Sequence, residues 1–160
     1  IEEGKVVEQG NHNDLILNID YAPTLLELAG IKSPEDVQGK SFVSILANSN
    51  EKPFRDAVYY HYFEYPYWHH VQPHYGVRTD RYKLIHYYYD MEEWELFDLE
   101  KDPNEVKNIY GNSENKQLIA DLKIRLEEVK KEYKMDLSDD ELRKMTDIRI
   151  ERRYRVEPAN

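Results

Sequence analysis

Apolar positions recur in two rhythms along this chain, and the change from one to the other divides it. Leu118, Leu122, Leu126, Val129 and Tyr133 return at steps of four, four, three and four, which marks one face of an amphipathic helix. Before that helix, from Asp56 to Leu99, β-branched and aromatic residues come in short runs broken by polar turns. DAVYYHYF, YGVRT, YKLIHYYYD and EWELFDL predict four strands. TDR between the second and third reads as a tight hairpin, and connections this short make the neighbours pair antiparallel. Asp102 and Pro103, in EKDPNE, then favour a turn and exclude a central strand.

Upstream, NIDYAPTLLELAGIKSPEDVQGKSF predicts a helix from about Tyr21 to Ala29. Asp20 is placed to cap it, Pro23 is tolerated in its first turn, and Gly30 permits a left-handed stop. SPEDVQG is a turn-rich connector, SFVSIL at most a short helix, and NSNEKPF a linker that sets a boundary near residue 50. Downstream, LSDDEL opens a second helix: Ser138 with Glu141 matches a capping box, and Leu137 with Leu142 the staple around it. Its continuation, RKMTDIRIERRYR, is charged with a weak apolar stripe, which suits a solvated tail helix or a surface that needs a partner. The fold class is therefore α+β, an antiparallel four-stranded sheet packed by a C-terminal amphipathic helix.

Charge narrows the function classes. The net charge of −10 lies wholly in residues 1–112, which hold 20 acidic and 10 basic side chains against 12 of each in 113–160. Non-specific nucleic-acid binding is disfavoured, because it needs a basic stripe to displace phosphate counterions. No run of eighteen apolar residues predicts a membrane span, and no leader pattern is present. The opening IEEGKVVEQG, without Met, suits a piece of a longer protein. Cysteine is absent, which removes thiol catalysis, cysteine metal sites and disulfides, and leaves the redox compartment unread.

Residues 61–90 hold five of the six histidines and eight of the fourteen tyrosines. His69 and His70 are adjacent and diverge, and no zinc-type spacing occurs, so no metal site is expected. No serine lies in G-x-S-x-G and no phosphate loop is present, so no catalytic set is expected within the chain. Glu92 and Glu93 read as a solvated turn. If HYGVRT is extended, His74, Gly76 and Arg78 share one face and Tyr75, Val77 and Thr79 the other. A histidine and an arginine flanking a glycine can receive an anion or a sugar; alternatively Arg78 pairs with an acidic neighbour and His74 sits on a polar surface. Tyr67 and Trp68, in EYPYWHHVQP, suit stacking on a sugar or covering an interface.

The order NIDYAPTLLELAGI, QGKSF, GVRTDRYKLI, WELFDLEKDPNEVKNIY and a terminal amphipathic helix resembles the C-terminal portion of a type I, formylglycine-dependent sulfatase over residues 11–135. The expanded aromatic segment is similar to the branch of N-acetylglucosamine-6-sulfatases and heparan and mucin sulfatases. The resemblance implies that 1–50 end a large alkaline-phosphatase-like α/β domain, that 51–135 form the small C-terminal domain, and that 136–160 are a charged terminal helix or tail. It implies a parent enzyme hydrolysing sulfate esters of a glycan, of the 6-O-sulfated N-acetylglucosamine type, with a formylglycine nucleophile and a calcium ion. Here the chain departs from the family's catalytic pattern: no Cys exists, no Ser is followed by x-P/A-S/A-R, and the calcium aspartates do not appear. The chain alone is expected to be inactive, with its own N-terminal catalytic domain and a sulfated glycan as partners. The resemblance implies a substrate-binding role for His74, Arg78, Tyr67 and Trp68, and a periplasmic or secreted parent. A free-standing carbohydrate-binding module and a structural interaction module are the alternatives.

Overall fold

A computed structural model describes residues 11–47, 53–66 and 69–154. Two compact units divide the chain after Val58. The first holds helix α1, Tyr21–Leu28, entered by the short 3-10 turn Asn18–Asp20, and the single turn α2, Val43–Leu46. Gly30, at φ 71°, takes the left-handed stop after α1. Asp20 does not cap α1 with its side chain. Its fully buried carboxylate instead accepts two bonds from the Arg55 guanidinium, at 2.7 and 2.8 Å. The same carboxylate accepts the backbone N–H groups of Leu17 and Lys40. A buried arginine offers this carboxylate more than a helix end does, because two charged donors offset the desolvation of both groups.

The second unit is the sheet and its helices. Strands β1 (Ala57–Tyr62), β2 (His74–Thr79), β3 (Tyr82–Tyr88) and β4 (Glu92–Asp98) lie in that order in one four-stranded sheet. β2 pairs antiparallel with β3, and β3 with β4, as the short connections require. The TDR hairpin is held by Thr79, whose Oγ1 accepts the N–H of Tyr82 at 2.9 Å. The register fixes which side chains share a face. Tyr75, His86 and Trp94 form one row across the sheet, and Val77, Leu84 and Leu96 the next. Both rows belong to the face that α3, Lys116–Glu132, covers, and Leu126 and Val129 on that helix are buried with them. Five such fully buried aliphatic side chains contribute roughly 1.5–3 kcal/mol each.

The charged terminal segment packs through a narrow stripe and leaves Met145 and Ile148 exposed. It forms α4, Asp139–Tyr154, with Leu142 and Thr146 buried and with contacts to β3. The expected capping box is present: Ser138 Oγ and N–H both donate to Glu141, at 2.6 and 2.8 Å.

Candidate functional site

The other face of the sheet carries the predicted site residues. Strand pairing places His74 beside Tyr87 and Glu93, Gly76 beside Ile85 and Glu95, and Arg78 beside Lys83 and Phe97. His74 opens β2 where the aromatic loop enters the sheet. Its Nδ1 lies 2.8 Å from the carbonyl oxygen of Gln72, which only accepts, so Nδ1 carries the proton. In the neutral imidazole Nε2 then keeps its lone pair. Three tyrosines surround the half-buried ring: Tyr62 stacks on it at 5.5 Å and 15°, Tyr87 lies at 5.2 Å and Tyr60 at 6.1 Å. Burial pushes the Tyr87 hydroxyl up to about 12, with the Glu95 carboxylate adding to the shift, so it remains a neutral donor. It donates to Glu95 at 3.2 Å.

Gly76 does not leave the opening that its sequence position suggests. A Cβ there would lie 2.3 Å from the Leu84 carbonyl oxygen and 2.5 Å from the Tyr60 hydroxyl, so the phenol fills the space above the glycine. Glycine is required for this close packing. Arg78 stands four residues along an extended strand from His74, about 13 Å at the usual rise. Arg78 is exposed and makes no ion pair or hydrogen bond among the described residues, while Lys83 opposite it pairs with Glu105 and lies over the Tyr60 ring. Tyr67 and Trp68 lie outside the described residues. Tyr60, Tyr62 and Tyr87 were not singled out from the sequence, although the period-2 alternation of β1 and the hairpin register put them on this face.

Four more of these histidines and tyrosines, His61, Tyr75, His86 and Tyr88, build the core on the helix face. Tyr75 makes ring contacts with His61, Tyr88 and His86, and His86 stacks on Trp94 at 4.1 Å. Tyr75 donates to Asp139 at 2.9 Å, tying this row to the start of α4. Burial lowers the pKa of His61 to about 4, helped by the charges of Arg149 and Lys130, so the ring is neutral near pH 7. Burial also lowers that of His86 against the opposing charge of Asp139. His69 and His70 are exposed. Among the described residues no three histidine, aspartate or glutamate side chains group as metal ligands, and no residue of the chain fits as a formylglycine precursor. Neither calcium nor formylglycine chemistry is therefore assigned to these residues.

The family model described as N-sulphoglucosamine sulphohydrolase, C-terminal, matches residues 3–132. An N-acetylglucosamine-6-O-sulfatase of Bacteroides thetaiotaomicron is 44% identical over 133 residues, which is 81% of this chain and 24% of that protein. A delta 4,5-hexuronate-2-O-sulfatase of the same organism is 32% identical over 113 residues, 69% of this chain and 22% of its own. A solved structure of an enzyme in complex with its substrate, D-glucosamine-2-N,6-O-disulfate, superposes with a TM-score of 0.71 at 46% identity. That superposition covers 76% of this chain and 25% of the enzyme. The chain spans about a quarter of the length of these relatives. With its ordered motifs, four-stranded antiparallel sheet and packed helices, the chain belongs to the N-sulphoglucosamine sulphohydrolase C-terminal family of sulfatase domains.

Proposed function

We propose that this chain is the C-terminal part of a sulfatase that hydrolyses a sulfate ester on a glucosamine-type sugar of a glycan, with the 6-O-sulfate the favoured position. In this reading residues 1–50 end the large domain, the sheet unit closes one side of the cleft, and His74 contacts the sugar. The 44% identity to an N-acetylglucosamine-6-O-sulfatase across 81% of the chain carries the proposal. Its support in the structure is a histidine fixed by a carbonyl and three tyrosine rings at the loop end of a rigid sheet, where binding residues are commonly placed. A separate observation supports the larger parent: Leu25 and Ile31 of the first unit are 64% and 56% exposed, as expected at the edge of a core completed by other residues. Arg78, whose α-carbon stands about 13 Å along the strand, joins the reading as a further contact to the sugar or its sulfate. The family resemblance supports a periplasmic or secreted parent.

The test is kinetic. In the full-length enzyme His74→Ala lowers kcat/KM for 6-sulfated N-acetylglucosamine about tenfold or more, the loss of one hydrogen bond at roughly 1.4 kcal/mol. Unchanged kcat/KM on every sulfated sugar tried removes His74 from the site. The chain by itself shows no calcium-dependent turnover of an aryl sulfate, and turnover would overturn the placement of the chemistry upstream. Glycan affinity of the isolated chain, retained without any upstream domain, would instead favour a free-standing binding module.

A further inference from the structure

Helix α4 lies beyond residue 132, where the family match ends. It reaches the strand and loop ends on both sides of the aromatic segment. Arg149 donates from Nη1 to the carbonyl of Phe63 at 3.0 Å, and its guanidinium lies 4.3 Å from the centroid of the Phe63 ring. The same carbonyl accepts the N–H of Tyr65 at 3.1 Å, so Arg149 caps the turn in which the chain leaves β1. Two residues earlier, Asp147 accepts the Tyr89 hydroxyl at 2.6 Å. The Tyr89 ring packs on Tyr65 at 5.5 Å, and the Tyr65 hydroxyl donates to Asp90 at 2.9 Å. At the other end of the loop, Arg143 Nε donates to the Tyr88 carbonyl at 2.7 Å, while the Tyr88 N–H donates to the carbonyl of Pro73, the residue before His74. Three side chains spaced along one helix thus hold Phe63, Tyr65 and, through Tyr88, the entry to His74. Leu142 and Thr146, buried beneath, fix the helix on which they stand.

We infer that α4 is a clamp that positions the two ends of the aromatic segment, at Phe63–Tyr65 and at His74, with Arg149 and Asp147 as positioning residues acting through Phe63 and through Tyr89 and Tyr65. The inference rests on the reading of His74 as a sugar contact. A tail helix that only covered the core would need its buried Leu142 and Thr146 but not these polar contacts to loop carbonyls and hydroxyls. Arg143, Asp147 and Arg149 thereby account for part of the charged composition of the segment, since charged groups make the stronger hydrogen bonds to carbonyls and hydroxyls.

Two readouts test it. In the 160-residue chain, Arg149→Ala speeds hydrogen exchange of the Tyr65 amide, and Arg149→Lys, which keeps a charged donor, restores part of the protection. In the full-length enzyme, Arg149→Ala and Asp147→Ala each raise KM for 6-sulfated N-acetylglucosamine about tenfold, or roughly 1.4 kcal/mol, and leave kcat and the turnover of a small aryl sulfate within about twofold. Asp147 is exposed, whereas Arg149 stands on the Leu142 and Thr146 side of the helix and walls the small cavity beside His61, so the Arg149→Lys variant separates loss of the clamp from loss of packing. Unchanged Tyr65 exchange, or unchanged KM while His74→Ala raises it, overturns the clamp and leaves the sugar site standing. Unchanged KM in the clamp variants and in His74→Ala together overturns both.

Discussion

His61 is the group whose replacement most directly tests the packing of the sheet against α4. Its ring contacts Tyr75 and Tyr88 at 6.0 and 5.5 Å, and Nε2 lies 2.9 Å from the Tyr88 hydroxyl. Nδ1 is buried with no hydrogen-bond partner among the described residues, beside a cavity of about 50 Å3 walled by Phe63, Leu142, Met145 and Arg149. A proton added to the ring therefore places an N–H without an acceptor among apolar atoms and near a guanidinium. Burial is the larger cause, and the folded pKa falls to about 4 from 6.5. Because the folded value is the lower one, the neutral ring's contribution is fully present above pH 6.5 and is lost as pH falls from 6.5 towards 4. A shift of about 2.5 units corresponds to roughly 3 kcal/mol in full, of which about 2 kcal/mol is lost between pH 7.5 and pH 5.0. The assay is urea unfolding of the chain and of His61→Gln at both pH values. Every other titrating group, including His86 and Asp139, is common to the two proteins and drops out of the difference of differences. The wild-type chain should lose about 2 kcal/mol more than the variant on acidification. Equal losses, within about 0.5 kcal/mol, would show that the ring is not held neutral by its burial and would refute the reasoning.

Two further substitutions test the remaining packing arguments. Asp20→Asn removes the charged carboxylate that binds the buried Arg55 guanidinium, and a loss of roughly 3–5 kcal/mol is expected by urea unfolding at pH 7; a loss below about 1 kcal/mol would mean that the other contacts of Arg55 suffice to hold its charge. Gly76→Ala forces its Cβ against the Leu84 carbonyl and the Tyr60 hydroxyl and should cost about 1–3 kcal/mol. Adding Tyr60→Phe should return only part of the melting temperature, since the backbone carbonyl stays in place; full recovery would assign the whole conflict to the phenol.

The order of elements, the four strands, the antiparallel pairing, the α3 face and the Ser138–Glu141 box are determined by the sequence itself, because each rests on local periodicity or on connections too short for any alternative. The same local logic put His74 and Arg78 on one sheet face, and it also suggested that they share a site and that Gly76 opens room between them. Tertiary packing decided the space between them, since Tyr60 from the neighbouring strand occupies the room over the glycine; the strand itself separates their α-carbons by about 13 Å. Asp20 shows the same limit, since a capping position is visible in its neighbours but the Arg55 that claims its carboxylate is 35 residues away. The last helix is the clearest case. Its weak apolar stripe is all that periodicity can report, while the partners of Arg143, Asp147 and Arg149 lie 55 to 86 residues back in the chain and meet them only after the sheet has formed.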